Sequence, residues 1–277
     1  MKRKERITYV FWFTGCIMLA VLFALPLYNA LVNSVRSLFV SPVITMPENP
    51  QWSNYKLAVT LIPFFRYLKS SLIIVAITVF FSVTVDFFYG YAFARLKVKG
   101  SNFLFLLLLS QMMIPGIAVS IPQYITFANF GIKNSYWIWV INGMAGNAYM
   151  VFRYRQFVEL VPRDIEEAAF IDGCGFFRIV TQIYMPICKN VLVITLFGAI
   201  TGAWSDYMTP YMYLTEKMFP LAIALFNTSY QIMDNPSANT EPIKIAAAIL
   251  FSLPMIILFF VCQKELAAGV TAGSVKG

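Results

Sequence analysis

Histidine is absent from the 277 residues, and only 12% of them carry charge. The four cysteines (Cys16, Cys174, Cys188 and Cys262) stand far apart without a C-x-x-C pair, so the chain offers neither a zinc ligand set nor a dithiol redox motif. The sparse charge excludes an ordinary soluble domain, in which about a quarter of residues are ionisable. What fills the chain instead is apolar: 59% hydrophobic residues, 17% aromatic ones and a mean hydropathy of +0.70. That composition belongs to an integral membrane protein. A net charge of +8 invites a nucleic-acid reading. The basic residues are scattered between apolar runs, however, and membrane orientation accounts for them better. A membrane-embedded enzyme is disfavoured too, because it needs a convergent polar site that so few buried charges do not supply.

Six apolar runs are expected to span the bilayer, whose hydrocarbon core of about 30 Å needs roughly 20 helical residues. The first follows Met1-Lys2-Arg3-Lys4-Glu5-Arg6 and continues to about residue 32. Its start imitates a secretory signal, and Phe13-Thr14-Gly15-Cys16 a lipoprotein cleavage box, but the run passes well beyond Cys16 and is read as an uncleaved span. The others are 72–93, 103–121 with a break near Pro115-Gly116, a short polar run at 136–152, then 191–213 and 243–261. Asp86 lies within the second run. An intramembrane carboxyl is expected to face the bundle interior or be protonated, either as a packing group or as part of a polar route. Asn142 and Asn147 in the fourth run carry the same two readings. With this topology 14 of the 21 basic residues fall on one side and seven on the other, which sets both termini in the cytoplasm.

Between the fourth and fifth runs lies a polar island, residues 162–186. Local rules predict a helix of about two turns in it. Asp164 caps the first amides, Glu167 answers in capping-box fashion and pairs with Arg163 at i, i+4, and Gly173 supplies a left-handed stop. Ile165, Ala168 and Ala169 share one face, over which a partner can approach closely, while Glu166 and Asp172 point toward the rim.

The order Glu167-Ala168-Ala169, Gly173, Ile183, Pro186 resembles the EAA loop of bacterial ABC importer permeases. Tyr91-Ala92-Phe93-Ala94-Arg95 resembles the segment that ends a span in the carbohydrate branch of that family, and Trp204-Ser205-Asp206 its W-x-[ND] segment. Gly269, Gly273, Lys276 and Gly277 match the ending of maltose-type permeases.

The resemblance implies an all-α membrane protein of the type I ABC importer (MetI-like) fold with six transmembrane helices. Residues 1–67 would form an N-terminal segment, first span and outer loop, 68–264 the transmembrane domain, and 265–277 a cytoplasmic tail. It implies that Glu167, Ala168, Ala169, Asp172, Gly173, Ile183 and Pro186 form a cytoplasmic coupling helix and loop against a separate ATPase. The tail residues Gly269, Gly273, Lys276 and Gly277 would thread along the ATPase interface, from a segment too poor in apolar surface to order itself. Gln231, Asp234 and Asn235, in the loop between the last two spans, are implied contacts of an external solute-binding protein. The implied partners are a second permease, two ATPase subunits and that binding protein. The chain would hold no cofactor or metal of its own, ATP and Mg belonging to the ATPase. The implied activity is import of a sugar across the bacterial inner membrane. An importer of a non-sugar solute and an ion-coupled secondary transporter using Asp86 are the alternatives, and no sugar-contact residue is assigned.

Overall fold

The structure, a computed structural model, describes residues 3–40, 42–96, 98–227 and 240–272. Among the described residues the regular elements are all helices: α1 (Arg3–Ser34), α2 (Ser53–Thr60), α3 (Phe64–Val83), α4 (Val85–Arg95), α5 (Ser101–Ser110), α6 (Gly116–Asn129), α7 (Trp137–Ala145), α8 (Ala148–Glu159), α9 (Arg163–Ile171), α10 (Phe176–Ile187), α11 (Lys189–Ser205), α12 (Met208–Tyr213), α13 (Leu221–Asn227) and α14 (Glu241–Ala272).

Three continuous stretches are long and apolar enough to cross a membrane: Val10–Ser34, Phe64–Arg95 and Glu241–Ala267. Two bent pairs qualify as well, Ser101–Met113 with Gly116–Asn129 at 103° and Phe176–Ile187 with Lys189–Ser205 at 85°. The described residues thus hold three such spans, or up to five if each bent pair is one. The first bend has a local cause. Proline disfavours helical geometry in the residue before it, and Ile114 is extended (φ −88°, ψ 121°) ahead of Pro115. The fourth expected span is two short helices broken at Gly146 and Asn147; α7 and α8, of 9 and 12 residues, rise only about 14 and 18 Å.

The described residues group into two compact units. One draws on Met1–Phe64 and Leu225–Pro254. Its α1 exposes apolar side chains such as Phe11, Leu22 and Phe23, the surface a lipid-facing helix needs. At the end of α1 the chain doubles back over buried Arg36. That guanidinium donates to Asn33 Oδ1 and the Val43 carbonyl, both at 2.9 Å, and to the Thr45 carbonyl. Asn54 of α2 donates to the carbonyls of Ser34 and Arg36 at 2.9 Å each. The stretch after α1, which carries Pro42, Pro47 and Pro50, is therefore tied down by hydrogen bonds rather than by regular structure.

The other unit draws on Phe65–Ala224 and Met255–Gly277. Its core is built where α4, α8, α9, α10 and α11 meet, around Phe87, Tyr91, Tyr154, Val158, Ile179 and Tyr184. Helices α4 and α8 approach closely because Gly90 has no side chain. A Cβ there would lie 2.4 Å from Tyr154 Cβ. The short helix α13, in a stretch the sequence reads as loop, is buried through Leu221, Ala222, Ile223 and Ala224, and its first amide donates to Ser71 Oγ at 2.9 Å.

Candidate functional site

The polar island does form a helix, α9, but its ends differ from expectation. The helix starts at Arg163 with Pro162 in the N-cap position and no side-chain cap, so Asp164 arrives too late to cap and sits in the first turn beside Glu166. There the two carboxylates face the positive end of the helix dipole. The capping box is absent for that reason, and among the described residues Arg163 and Glu167 form no ion pair. The stop is as expected. Gly173 has φ 78°, its amide donates to the Phe170 carbonyl at 3.0 Å, and the Cys174 amide donates to the Ala169 carbonyl at 2.9 Å. These are the two bonds of a Schellman motif.

The buried face is also not the expected one. Glu166, read from sequence as a rim residue, turns inward, where Oε1 accepts from the Tyr91 hydroxyl at 2.6 Å and Oε2 from the Tyr184 hydroxyl at 2.8 Å. Arg95 Nε lies 3.6 Å from Oε2, with the two side chains 4% and 14% exposed. Ala169 joins that inner face at 7% exposure, whereas Ile165, Glu167, Ala168, Asp172 and Gly173 are exposed and Ile171 is 86% exposed. Ala168 and Ala169, about 100° apart around the helix, therefore part, one outward and one in the core. Ile183 is half-buried and Pro186 exposed. A π-helical turn, Ile179–Tyr184, precedes Pro186 and makes room for a ring that would otherwise strike the carbonyl four residues back.

Arg95 does more than face Glu166. Its Nη2 donates to the Val158 carbonyl at 2.8 Å and to the Val161 carbonyl, and its guanidinium sits 5.2 Å from the centre of the Tyr184 ring. The Val158 carbonyl also accepts from the Val161 amide at 3.2 Å, so Arg95 fastens α4 to the last turn of α8 and to the turn that follows it. At the other end of α8, Asn147 Oδ1 caps the amides of Tyr149 and Met150, and the Asn147 amide donates to Asp86 Oδ1 at 2.7 Å. So α4 and α8 run parallel. Asp86 near the start of α4 accepts at the amide end of α8, and Arg95 at the end of α4 donates at its carbonyl end.

Sequence reasoning missed the set Tyr91, Arg95, Glu166 and Tyr184. Tyr91 and Arg95 stand at i, i+4 at the end of an apolar run, which puts a hydroxyl and a cation on one helix face. That spacing was the available signal. Gly269 lies inside α14, which continues to Ala272 where an irregular tail was expected. Gly273, Lys276 and Gly277, and likewise Gln231, Asp234 and Asn235, lie outside the described residues.

Residues 87–271 match the family described as binding-protein-dependent transport system inner membrane component. The chain belongs to this family. As an inner-membrane transport component it is similar over its whole length to the galactooligosaccharides transport system permease protein GanQ of Bacillus subtilis (strain 168), with 28% identity covering 100% of this chain and 99% of that one. It is 31% identical to the melibiose/raffinose/stachyose import permease protein MelC of the same organism, over 68% of this chain and 67% of the relative. Its fold matches a solved bacterial ABC transporter involved in the import of the acidic polysaccharide alginate, with a TM-score of 0.84 and 20% identity across 95% of this chain and 98% of that one.

Proposed function

We propose that this transport component is one of two permease subunits of an ATP-driven, binding-protein-dependent oligosaccharide importer. The names of its relatives supply the substrate class: galactooligosaccharides, arabinooligosaccharides and the raffinose group recur among them. In this reading α7 and α8 together form the fourth of six spans, residues 137–159, and both termini are cytoplasmic. The parallel course of α4 and α8 supports it, since Lys99 and Arg163 follow the ends of these two helices and would share one side.

The observation that carries the mechanism is the two-sided character of α9. Its inner face is fastened by a buried carboxylate, and its outer face offers Ile165, Ala168 and Ile171. We infer that this outer face, with Glu167, Asp172 and the Gly173 turn, seats against a separate ATPase that holds ATP and Mg. Motion of the ATPase then reaches the membrane through Glu166 and Arg95. Gly269, Gly273, Lys276 and Gly277 would extend along the same ATPase, and Gln231, Asp234 and Asn235 toward the solute-binding protein.

The test is uptake by the complete complex reconstituted in vesicles. ATP inside and loaded binding protein outside should give import of a neutral oligosaccharide, and Ile165→Glu with Ile171→Glu should detach the ATPase while leaving the permease pair in the membrane. Uptake that follows an ion gradient without ATP would overturn the reading.

A further inference from the structure

Within the second unit, a half-open cavity of about 160 Å³ lies between α3, α4, α7 and the start of α8. Its polar lining is Thr78, Ser82, Asp86, Asn142 and Asn147, and Phe81, Trp139 and Gly143 complete the wall. Asp86, 2% exposed, lies deepest of these polar groups, and Asn142 and Asn147 stand at the exposed edge. Gln123 of α6 donates to Asn142 Oδ1 at 3.0 Å, which extends the polar strip onto a further helix and leaves the Asn142 amide NH₂ as the edge open to a ligand. Such a strip at the depth of spanning helices is costly against hydrocarbon, so it faces protein or water.

Resting on the oligosaccharide reading above, we propose that this cleft is a transit subsite where one ring of a neutral, hydroxyl-rich solute is held by this subunit itself. The chemistry is that of sugar recognition: a buried carboxyl accepts hydroxyl protons, two amides and two hydroxyls offer further bonds, and an aromatic wall covers an apolar ring face. The volume corresponds to about five waters at their liquid density, enough for the edge of one ring and too little for a whole oligosaccharide. A carboxyl on the floor, with no cationic side chain in the lining, also sets selectivity. Without a cation it offers no partner for the carboxylate of a uronic-acid solute, whose desolvation would go uncompensated. A metal reading is weaker, because among the described residues no group of three or more His, Cys, Asp or Glu gathers here.

The experiment uses the full complex in vesicles with saturating binding protein, and as probe whichever of a panel of neutral galacto-, arabino- and malto-oligosaccharides the wild type imports. Asp86→Asn and Asn142→Ala should lower the maximal uptake rate by about tenfold or more, as loss of one hydrogen bond to a charged or well-placed partner does. For Asn142→Ala the half-saturating sugar concentration, set by the binding protein, and the ATPase stimulation should stay at wild-type values. Because Asp86 also holds α8, Asn142→Cys gives an independent readout: in a Cys16→Ser, Cys174→Ser background it should react with a water-borne, membrane-impermeant thiol reagent and be protected during sugar turnover. Wild-type uptake by Asn142→Ala, or a cysteine at 142 that is unreactive or indifferent to sugar, overturns the subsite while leaving the importer reading intact. Failure of the wild type to import any of the panel overturns both.

Discussion

Removing the carboxylate of Glu166 leaves Arg95 in a place where it cannot simply be re-solvated. The guanidinium side chain is 4% exposed, its Nε has no hydrogen-bond partner, and the hydroxyls of Tyr91 and Tyr184 lose their acceptor at the same stroke. Breaking a buried pair from one side costs about 3–5 kcal/mol. Two carbonyls, of Val158 and Val161, still accept from Arg95, so the lower end applies: about 3 kcal/mol, more than a hundredfold in the folded-to-unfolded ratio. Glu166→Ala should therefore lower the thermal midpoint of the purified complex in detergent. Arg95→Met should do so by a comparable amount, because it leaves the Glu166 carboxylate without its cation and unties α4 from the end of α8. The double variant Arg95→Met with Glu166→Gln should recover a substantial part of the summed loss, since neither charge is then stranded. Additive losses in this cycle would show that the two side chains do not act as a pair. A Glu166→Ala complex as stable as wild type would refute the reasoning altogether.

Three further outcomes are expected. Gly90→Ala places a methyl 2.4 Å from Tyr154 Cβ and should destabilise by about 1–3 kcal/mol through overpacking, read as a lower yield of monodisperse protein; normal yield and midpoint would mean that α4 and α8 can part without loss. At Gly173 a Cβ would meet nothing within 4 Å, so substitution acts through the positive φ alone: Gly173→Val should cost about 1–2 kcal/mol and depress ATP-driven uptake, with Gly173→Asn milder, and equal behaviour of the two would remove backbone handedness as the cause. Reporter fusions after Lys99 and after Arg163 should both read cytoplasm, and a split result would contradict the parallel course of α4 and α8.

What was legible in the sequence is what local chemistry decides. The apolar runs that became Val10–Ser34, Phe64–Arg95 and Glu241–Ala267, the break at Pro115 and the left-handed stop at Gly173 each depend on a few neighbouring residues. The orientation of α9 does not. Whether Glu166 or Ile165 faces the core of a helix this short depends on Tyr91 and Arg95, more than 70 residues earlier. Helix α13 was missed for the same reason, its first amide being answered by Ser71, 150 residues away. The capping box failed on a local competition, because Pro162 fixes φ at −57° in the N-cap position and starts the helix ahead of Asp164.

Two rivets on one helix leave few ways to move. With Asp86 holding the N-cap of α8 and Arg95 its last turn, sliding α4 past α8 by a turn would break both fastenings, whereas rotating the pair as a single bar keeps them. A bar of 12 residues is about 18 Å long, and a tilt of about 10° about its Gly146 end carries the Arg95 end, with α9 attached, through about 3 Å. Under the proposed coupling, a shift of that size imposed on α9 would correspond to a change of angle at Gly146, where a Cβ would lie 3.4 Å from Asp86 Oδ1.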